Sequence, residues 1–180
     1  MNRYIKEALF GAIGGVAGTF VILKVMGAIS QLQSEADRNR EKALVPEPPT
    51  EKLARRLSEN IGVALNPQNK AAMGKAVQWG YGIFWGGVYG ILRHRVPALS
   101  RGAGLPFGVA FGLFGPAVVL PLTGLTPPAH QFPISAHGRG LVSHYAYAAT
   151  VEGVCRACEA IDRAVTRKPE RTKPELRRVS

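Results

Sequence analysis

Cysteine is scarce in this chain, with only Cys155 and Cys158 present. A redox or metal reading of that C-x-x-C needs a thioredoxin-like strand-helix-strand context or a second pair of ligands, and the sequence supplies neither. On a helix the two thiols stand at i and i+3 and read as packed structural residues. The basic C-terminal stretch holds no aromatic residue, which removes the stacking platform of a nucleic-acid binder. There is no glycine loop to cradle phosphate, no Ser/His/Asp arrangement and no zinc-protease helix motif. No catalytic, cofactor-binding or metal-ligating set is expected. The most telling lack is charge. Gly102 to Leu125 is a run of 24 residues without a single ionised side chain. As a helix it reaches about 36 Å at 1.5 Å per residue, more than the hydrocarbon core of a bilayer.

Three further stretches read the same way. Ala8 to Leu23 is uncharged and continues past Lys24 to Ile29; Ala76 to Leu92 is uncharged; Leu141 to Val151 is uncharged and continues through Glu152 and Arg156 to Ile161. The mean hydropathy of +0.02 looks soluble only because polar blocks separate the apolar ones. The expectation is an all-α polytopic membrane protein. Its four transmembrane helices cover about residues 8–29, 71–92, 102–125 and 141–161, forming one membrane domain over 1–162 with a basic tail over 163–180. Acidic Glu7 and the length of the first apolar stretch argue against a cleaved signal peptide. The fourth span is short of apolar residues and needs neighbouring helices to shelter its charges.

The net charge of +11 is distributed unevenly. With the N-terminus inside, the inner segments carry twelve basic residues and the outer ones eight. The positive-inside rule then places both termini on the cytoplasmic side of a bacterial inner membrane. The Arg93–Arg95 turn is the firmest inner anchor, and the tail from Arg163 is expected to meet anionic lipid headgroups. The bilayer is the expected partner. Nucleic acid is not, and a homo-oligomer stays open.

Between the first two spans, Glu47-Pro48-Pro49 breaks the helix. Leu53, Leu57, Ile61 and Leu65 then recur every four residues, which predicts an amphipathic helix over about Thr50 to Leu65. Three readings stand: it lies on the membrane surface, it caps the bundle, or it is a simple spacer.

Small residues recur at helical spacing. Gly11, Gly15 and Gly18 lie in the first span, Gly82, Gly86 and Gly90 in the second, and Gly104, Gly108 and Gly112 in the third. Such faces let backbones approach, so a tight bundle is expected. Pro106, Pro116 and Pro121 predict a kinked third helix. Lys24 and Lys75 are expected to snorkel to the outer interface, and Trp85 and Tyr89 to pack.

His144, Glu152 and Arg156 are the candidate functional residues. Glu152 and Arg156 are i, i+4 partners, and His144 lies about 12 Å before Glu152 on the same slowly drifting face. Two readings stand: an ion pair with a hydrogen-bonded histidine, or a proton pathway through ionisable groups at membrane depth. The spacing His130, His137, His144 has no carboxylate or thiol near enough for a standard metal site.

The stretch Pro121-Leu122-Thr123-Gly124-Leu125-Thr126-Pro127-Pro128 resembles the YagU-like family of bacterial inner-membrane proteins. There a Pro-Leu-x-Gly-Leu-Thr-Pro-Pro run closes a transmembrane helix. Without a gap, Pro133, His144, Glu152 and Arg156 fall on the same residue types. The resemblance covers about Ala71 to Arg156, with the first span added loosely. Pro116 stands where the family pattern has a histidine, and the tail here is more basic. What the resemblance implies is an inner-membrane protein without enzyme activity or cofactor, with a link to acid or envelope stress. The alternatives are a small proton- or ion-coupled transporter or channel using His144 and Glu152, and an assembly subunit of a membrane complex.

Overall fold

Asn2 opens the first helix by accepting a hydrogen bond from the Tyr4 backbone N–H. The computed structural model describes residues 2–166. The basic tail expected from Arg163 onward lies outside the described residues beyond Thr166. Seven α-helical segments follow in order: α1 Arg3–Leu32, α2 Glu35–Leu44, α3 Pro49–Asn60, α4 Pro67–Leu92, α5 Leu105–Phe114, α6 Leu120–Leu122 and α7 Ile134–Thr166. No strand occurs among the described residues, so the class is all-α.

Helix starts follow the side chains that can cap them. Ser34 accepts from Asp37 N–H at the start of α2, with Glu35 and Asp37 in its first turn facing the positive end of the helix dipole. Pro49 and Pro67 occupy first helical positions, where a missing N–H costs nothing. Asn66 caps α4 by accepting from Asn69 N–H. α3 ends at Asn60, five residues before the expected boundary, because Gly62 takes φ +74 and turns the chain. α2 was not expected, although Ser34 followed by Glu35 and Asp37 is an N-terminal signature.

α1 is the centre of the bundle. It packs along α4 on one side and α7 on the other, and α5 packs on α7. The seam between α1 and α4 is backbone against backbone. A Cβ on Gly86 would sit 2.6 Å from Gly15 Cα, and one on Gly90 would sit 2.9 Å from Gly11 Cα. The other face of α1 meets α7, where a Cβ on Gly18 would strike the Tyr147 ring at 2.7 Å. Gly108 faces Tyr145 and Gly112 faces His144 on α7. Aromatic rings fill the space that the glycines leave. Tyr81, Trp85 and Tyr89 of α4 meet Phe107 and Phe111 of α5, with Tyr89 and Phe107 centroids 4.6 Å apart. The Tyr147 hydroxyl donates to the Gly82 carbonyl and ties α7 to α4.

The third apolar segment is not one uninterrupted α-helix. α5 and α6 are joined by a π-turn over Gly115–Val119, the turn that holds Pro116. The Thr123–Leu125 segment then ends the helix in a Schellman motif. Leu125 N–H reaches the Leu120 carbonyl and Gly124 N–H reaches that of Pro121, both at 2.9 Å. Gly124 adopts φ +66, which a side chain disfavours, and Leu125 is buried at 6% exposure. Pro127 and Pro128 prevent the helix from resuming. The Gly-Leu-Thr-Pro-Pro run is therefore a helix stop whose parts are legible one by one.

Two helical stretches are long and apolar enough to cross a membrane: Arg3–Leu32 and Leu105–Leu122. α4 and α7 are long enough but less apolar. Glycine, Trp and Tyr dilute α4, and Arg139, Glu152, Arg156, Glu159 and Asp162 interrupt α7. Only 33% of the apolar window of α1 and 22% of that of α5–α6 is buried. A core helix of a water-soluble protein would bury most of it.

Candidate functional site

Glu152 stands at the end of the bundle where both α1 and α4 bring basic residues. Its side chain is 1% exposed. Four donors reach its two oxygens. Tyr89 Oη donates to Oε2 at 2.7 Å, Arg93 Nε to Oε2 at 2.8 Å, Arg93 Nη2 to Oε1 at 3.0 Å and Arg156 Nε to Oε1 at 2.6 Å. The Arg93 fork is bidentate, the geometry that suits a carboxylate best. Arg93 is itself sheltered, with 8% of its side chain exposed, whereas Arg156 is 63% exposed. The i, i+4 pair expected from sequence is present, but the partner that shares burial with Glu152 comes from α4.

The fold dictates this meeting. α4 and α7 contact each other little, since α1 lies between them along most of their length. At the last turn of α4 the chain emerges from the glycine seam, and Tyr89 and Arg93 lie four residues apart on one face. Both reach Glu152 there. Arg93 then extends to Glu159, one turn beyond Arg156, and His94 Nε2 meets the same carboxylate at 2.9 Å. Tyr89 Oη also lies 3.5 Å from Ser100 Oγ.

The network continues onto α1. Glu7 accepts from Arg3 Nε at 2.7 Å and from Arg95 Nη1 at 3.0 Å, and Lys6 meets Asp162 at 2.6 Å. Arg95 also lies over the Tyr4 ring, 4.3 Å from its centroid. Three helices are thus clasped at one end by alternating charges. Between them is a cleft of about 220 Å³ lined by Arg3, Lys6, Phe10, His94, Asp162 and neighbouring carboxylates. Glu152 is not among its lining residues.

His144 is placed elsewhere. Its Nδ1 donates to the Gly140 carbonyl at 2.7 Å, within its own helix, and its ring packs edge-on to Phe111 at 5.1 Å. The structure brings Glu152 and Arg156 together and leaves His144 about two turns away with its own partners. The residues that sequence reasoning missed are Tyr89, Arg93, His94 and Glu159. In the sequence Tyr89 reads as a packing residue and Arg93 as a topology signal. The available signal was position: a buried carboxylate near the end of one helix needs a cation, and Arg93 ends a neighbouring helix that runs parallel to it.

The chemistry open to Glu152 follows from its four donors. With four donors on its two oxygens, the carboxylate has no lone pair left facing a mobile proton carrier. Cys155 is buried at 1% exposure, and among the described residues no group of three His, Cys, Asp or Glu side chains could hold a metal ion.

The opposite end carries a second cluster. Arg139 grips Glu41 and Gln33, Gln33 Nε2 donates to Glu41 at 2.6 Å and to Ser135 Oγ at 3.1 Å, and Ser135 donates to Asp37 at 2.7 Å. Glu47 there is held below the usual carboxylate range, chiefly by hydrogen bonds from Arg55, with Lys70 adding to them. Arg56 donates to the carbonyls of Thr123 and Gly124 at 2.7 and 3.1 Å, so the helix stop of the third segment is pinned by α3.

The chain matches no family model, no curated protein and no solved structure.

Proposed function

We propose that this chain is a non-catalytic, multi-pass bundle of the bacterial inner membrane, in which α1, α4, α5–α6 and α7 each cross the bilayer and both bundle ends are tied by ion pairs. The observation that carries the reading is the apolar belt around the middle of the bundle. Leu9, Ile13, Val16, Phe20 and Leu23 on α1, Phe84 on α4, and Val109, Leu113 and Phe114 on α5 are all exposed large apolar side chains. Exposed apolar surface of that extent is costly in water and stable in lipid. The charges lie at the two ends of that belt, where headgroups and water can meet them. α7 crosses with a less apolar sequence because its buried Glu152 is paired with Arg93 and Arg156.

With Arg3, Lys6, Arg93, Arg95 and Arg101 at the end shared by the two helical termini, the positive-inside rule puts that end in the cytoplasm. Glu152, Arg93 and Tyr89 then lock α7 to α4 at the inner face. The saturated carboxylate supports an architectural role for Glu152 over a proton pathway. The physiological setting suggested by the YagU-like resemblance is acid or envelope stress, in which a tightly closed bundle acts as a structural component of the membrane. Alkaline carbonate extraction tests the reading. The full chain should stay in the membrane pellet and leave it only with detergent, and release into the carbonate supernatant would overturn it.

A further inference from the structure

α3 is packed by its small edge and open on its large one. Ala54 and Ser58 are buried at 0% and 3% exposure. They face α4, where Ser58 Oγ lies 3.8 Å from Met73 Sδ and a Cβ on Gly74 would sit 3.2 Å from Glu51 Cα. Leu57 and Ile61, which an amphipathic helix would ordinarily press against its own protein, are 51% and 75% exposed. Lys52, Arg55 and Glu59 lie on the opposite side of the helix from Leu57. The helix cannot roll to bury its leucine. Arg56 is fixed to the Thr123 and Gly124 carbonyls, and Arg55 is fixed to Glu47, which also holds Lys70 of α4.

Two neighbours tell what covers this face. Leu122, next to the carbonyl that Arg56 grips, is 82% exposed, and Met73 beside Ser58 is 39% exposed. Exposed apolar side chains thus flank the open face of α3 on both sides, at the end of α6 and near the start of α4, the two elements read here as entering the bilayer at this end. Its polar side carries ion-paired side chains of both signs, as suits a zone of headgroups and water.

Resting on the reading of the chain as a multi-pass membrane protein, we propose that α3 is an interfacial helix. Leu57 and Ile61 lodge at the boundary between headgroups and acyl chains of the leaflet opposite the termini. The occupant of the open face is the bilayer itself, entered to a depth of about 5–10 Å. α3 then acts as an outrigger, coupling the stop of the third span to the start of α4 through a lipid contact that neither span makes alone.

Nitroxide labels on the full chain in phosphatidylethanolamine–phosphatidylglycerol liposomes test this. Each label is placed at Leu57→Cys, Glu59→Cys or Phe84→Cys in a Cys158→Ala background, since Cys155 is buried. Power saturation compares oxygen, which partitions into lipid, with a water-soluble nickel chelate. The oxygen-to-nickel accessibility ratio at Leu57 should lie above that at Glu59 and below that at Phe84. A ratio at Leu57 equal to that at Glu59, with Phe84 still lipid-like, overturns the interfacial placement alone. Exclusion of both reagents from Leu57 also overturns it, because a second copy or another protein then covers the face. Nickel access at Phe84 overturns the underlying membrane reading.

Discussion

The two arginines on Glu152 are predicted to be unequal, and the inequality separates the geometry from the sequence spacing. Arg93 is 8% exposed and makes two of the four donor contacts; Arg156 is 63% exposed and makes one. Removing one partner of a buried pair leaves an uncompensated charge and costs about 3–5 kcal/mol. An exposed pair contributes about 0–1 kcal/mol, because water screens the attraction and replaces the lost partner. Arg93→Gln should therefore cost several times what Arg156→Gln costs. At roughly 2–4 °C per kcal/mol for a chain of this size, the first should lower the melting temperature by on the order of 10 °C and the second by about 4 °C at most. The assay is tryptophan fluorescence of the detergent-solubilised protein on heating, since Trp85 packs against Phe111 and reports the loss of the α4–α5 contact. Adding Glu152→Gln to Arg93→Gln should recover part of the loss, because the buried carboxylate left behind is then neutral. Equal losses for the two arginine variants, or a larger one for Arg156→Gln, would refute the assignment of Arg93 as the principal partner.

The glycine seam should respond by position. Gly86→Leu forces side-chain atoms into the Gly11 and Gly15 backbone and should cost about 1–3 kcal/mol or more, while Gly80→Leu, with nothing within 4 Å of its Cβ position, should be neutral or slightly stabilising in the same melting assay; equal losses would remove the packing argument. The Glu47 cluster should respond to acid. Its folded-state pKa lies below the usual value of 4.5, so its contribution is complete above that pH and is lost as pH falls through the folded value. The stability gap between wild type and Glu47→Gln should thus be present at pH 7 and close under acid conditions, and a gap constant down to pH 3 would contradict it.

Helix existence was legible wherever a long stretch lacked charge or an apolar period followed a breaker, because those signals act locally, whereas the Ser34 cap of α2 did not suffice by itself. The glycine spacings identified faces, and the structure places those faces against backbone. Which glycine meets which was not legible, since register between helices is a property of the assembled bundle. That the Pro121 to Pro128 run stops a helix was implied by the family resemblance, and the grip of Arg56 on it was not legible. The candidate site was legible in one half. Glu152 and Arg156 share a helix, so their contact follows from spacing. Arg93 and Tyr89 are about sixty residues away in sequence and reach Glu152 only because α1 spaces α4 and α7 apart until its glycine seam ends. His144 shares a face with Glu152 in projection, yet the drift of the helix and the bulk of Phe111 give it a separate environment. α2 was overlooked because it lacks an apolar face; its sequence is held by Arg139 and Gln33 rather than by burial.

The central claim is that four segments cross one bilayer, with the single bundle end that holds the start of α1 and the end of α7 inside. Paired alkaline phosphatase and green fluorescent protein fusions at Pro46, Val96, Pro127 and the C-terminus test it most directly. The account predicts phosphatase activity at Pro46 and Pro127, and fluorescence at Val96 and at the C-terminus. Phosphatase activity at Val96, or the same reporter active at all four sites, would contradict it.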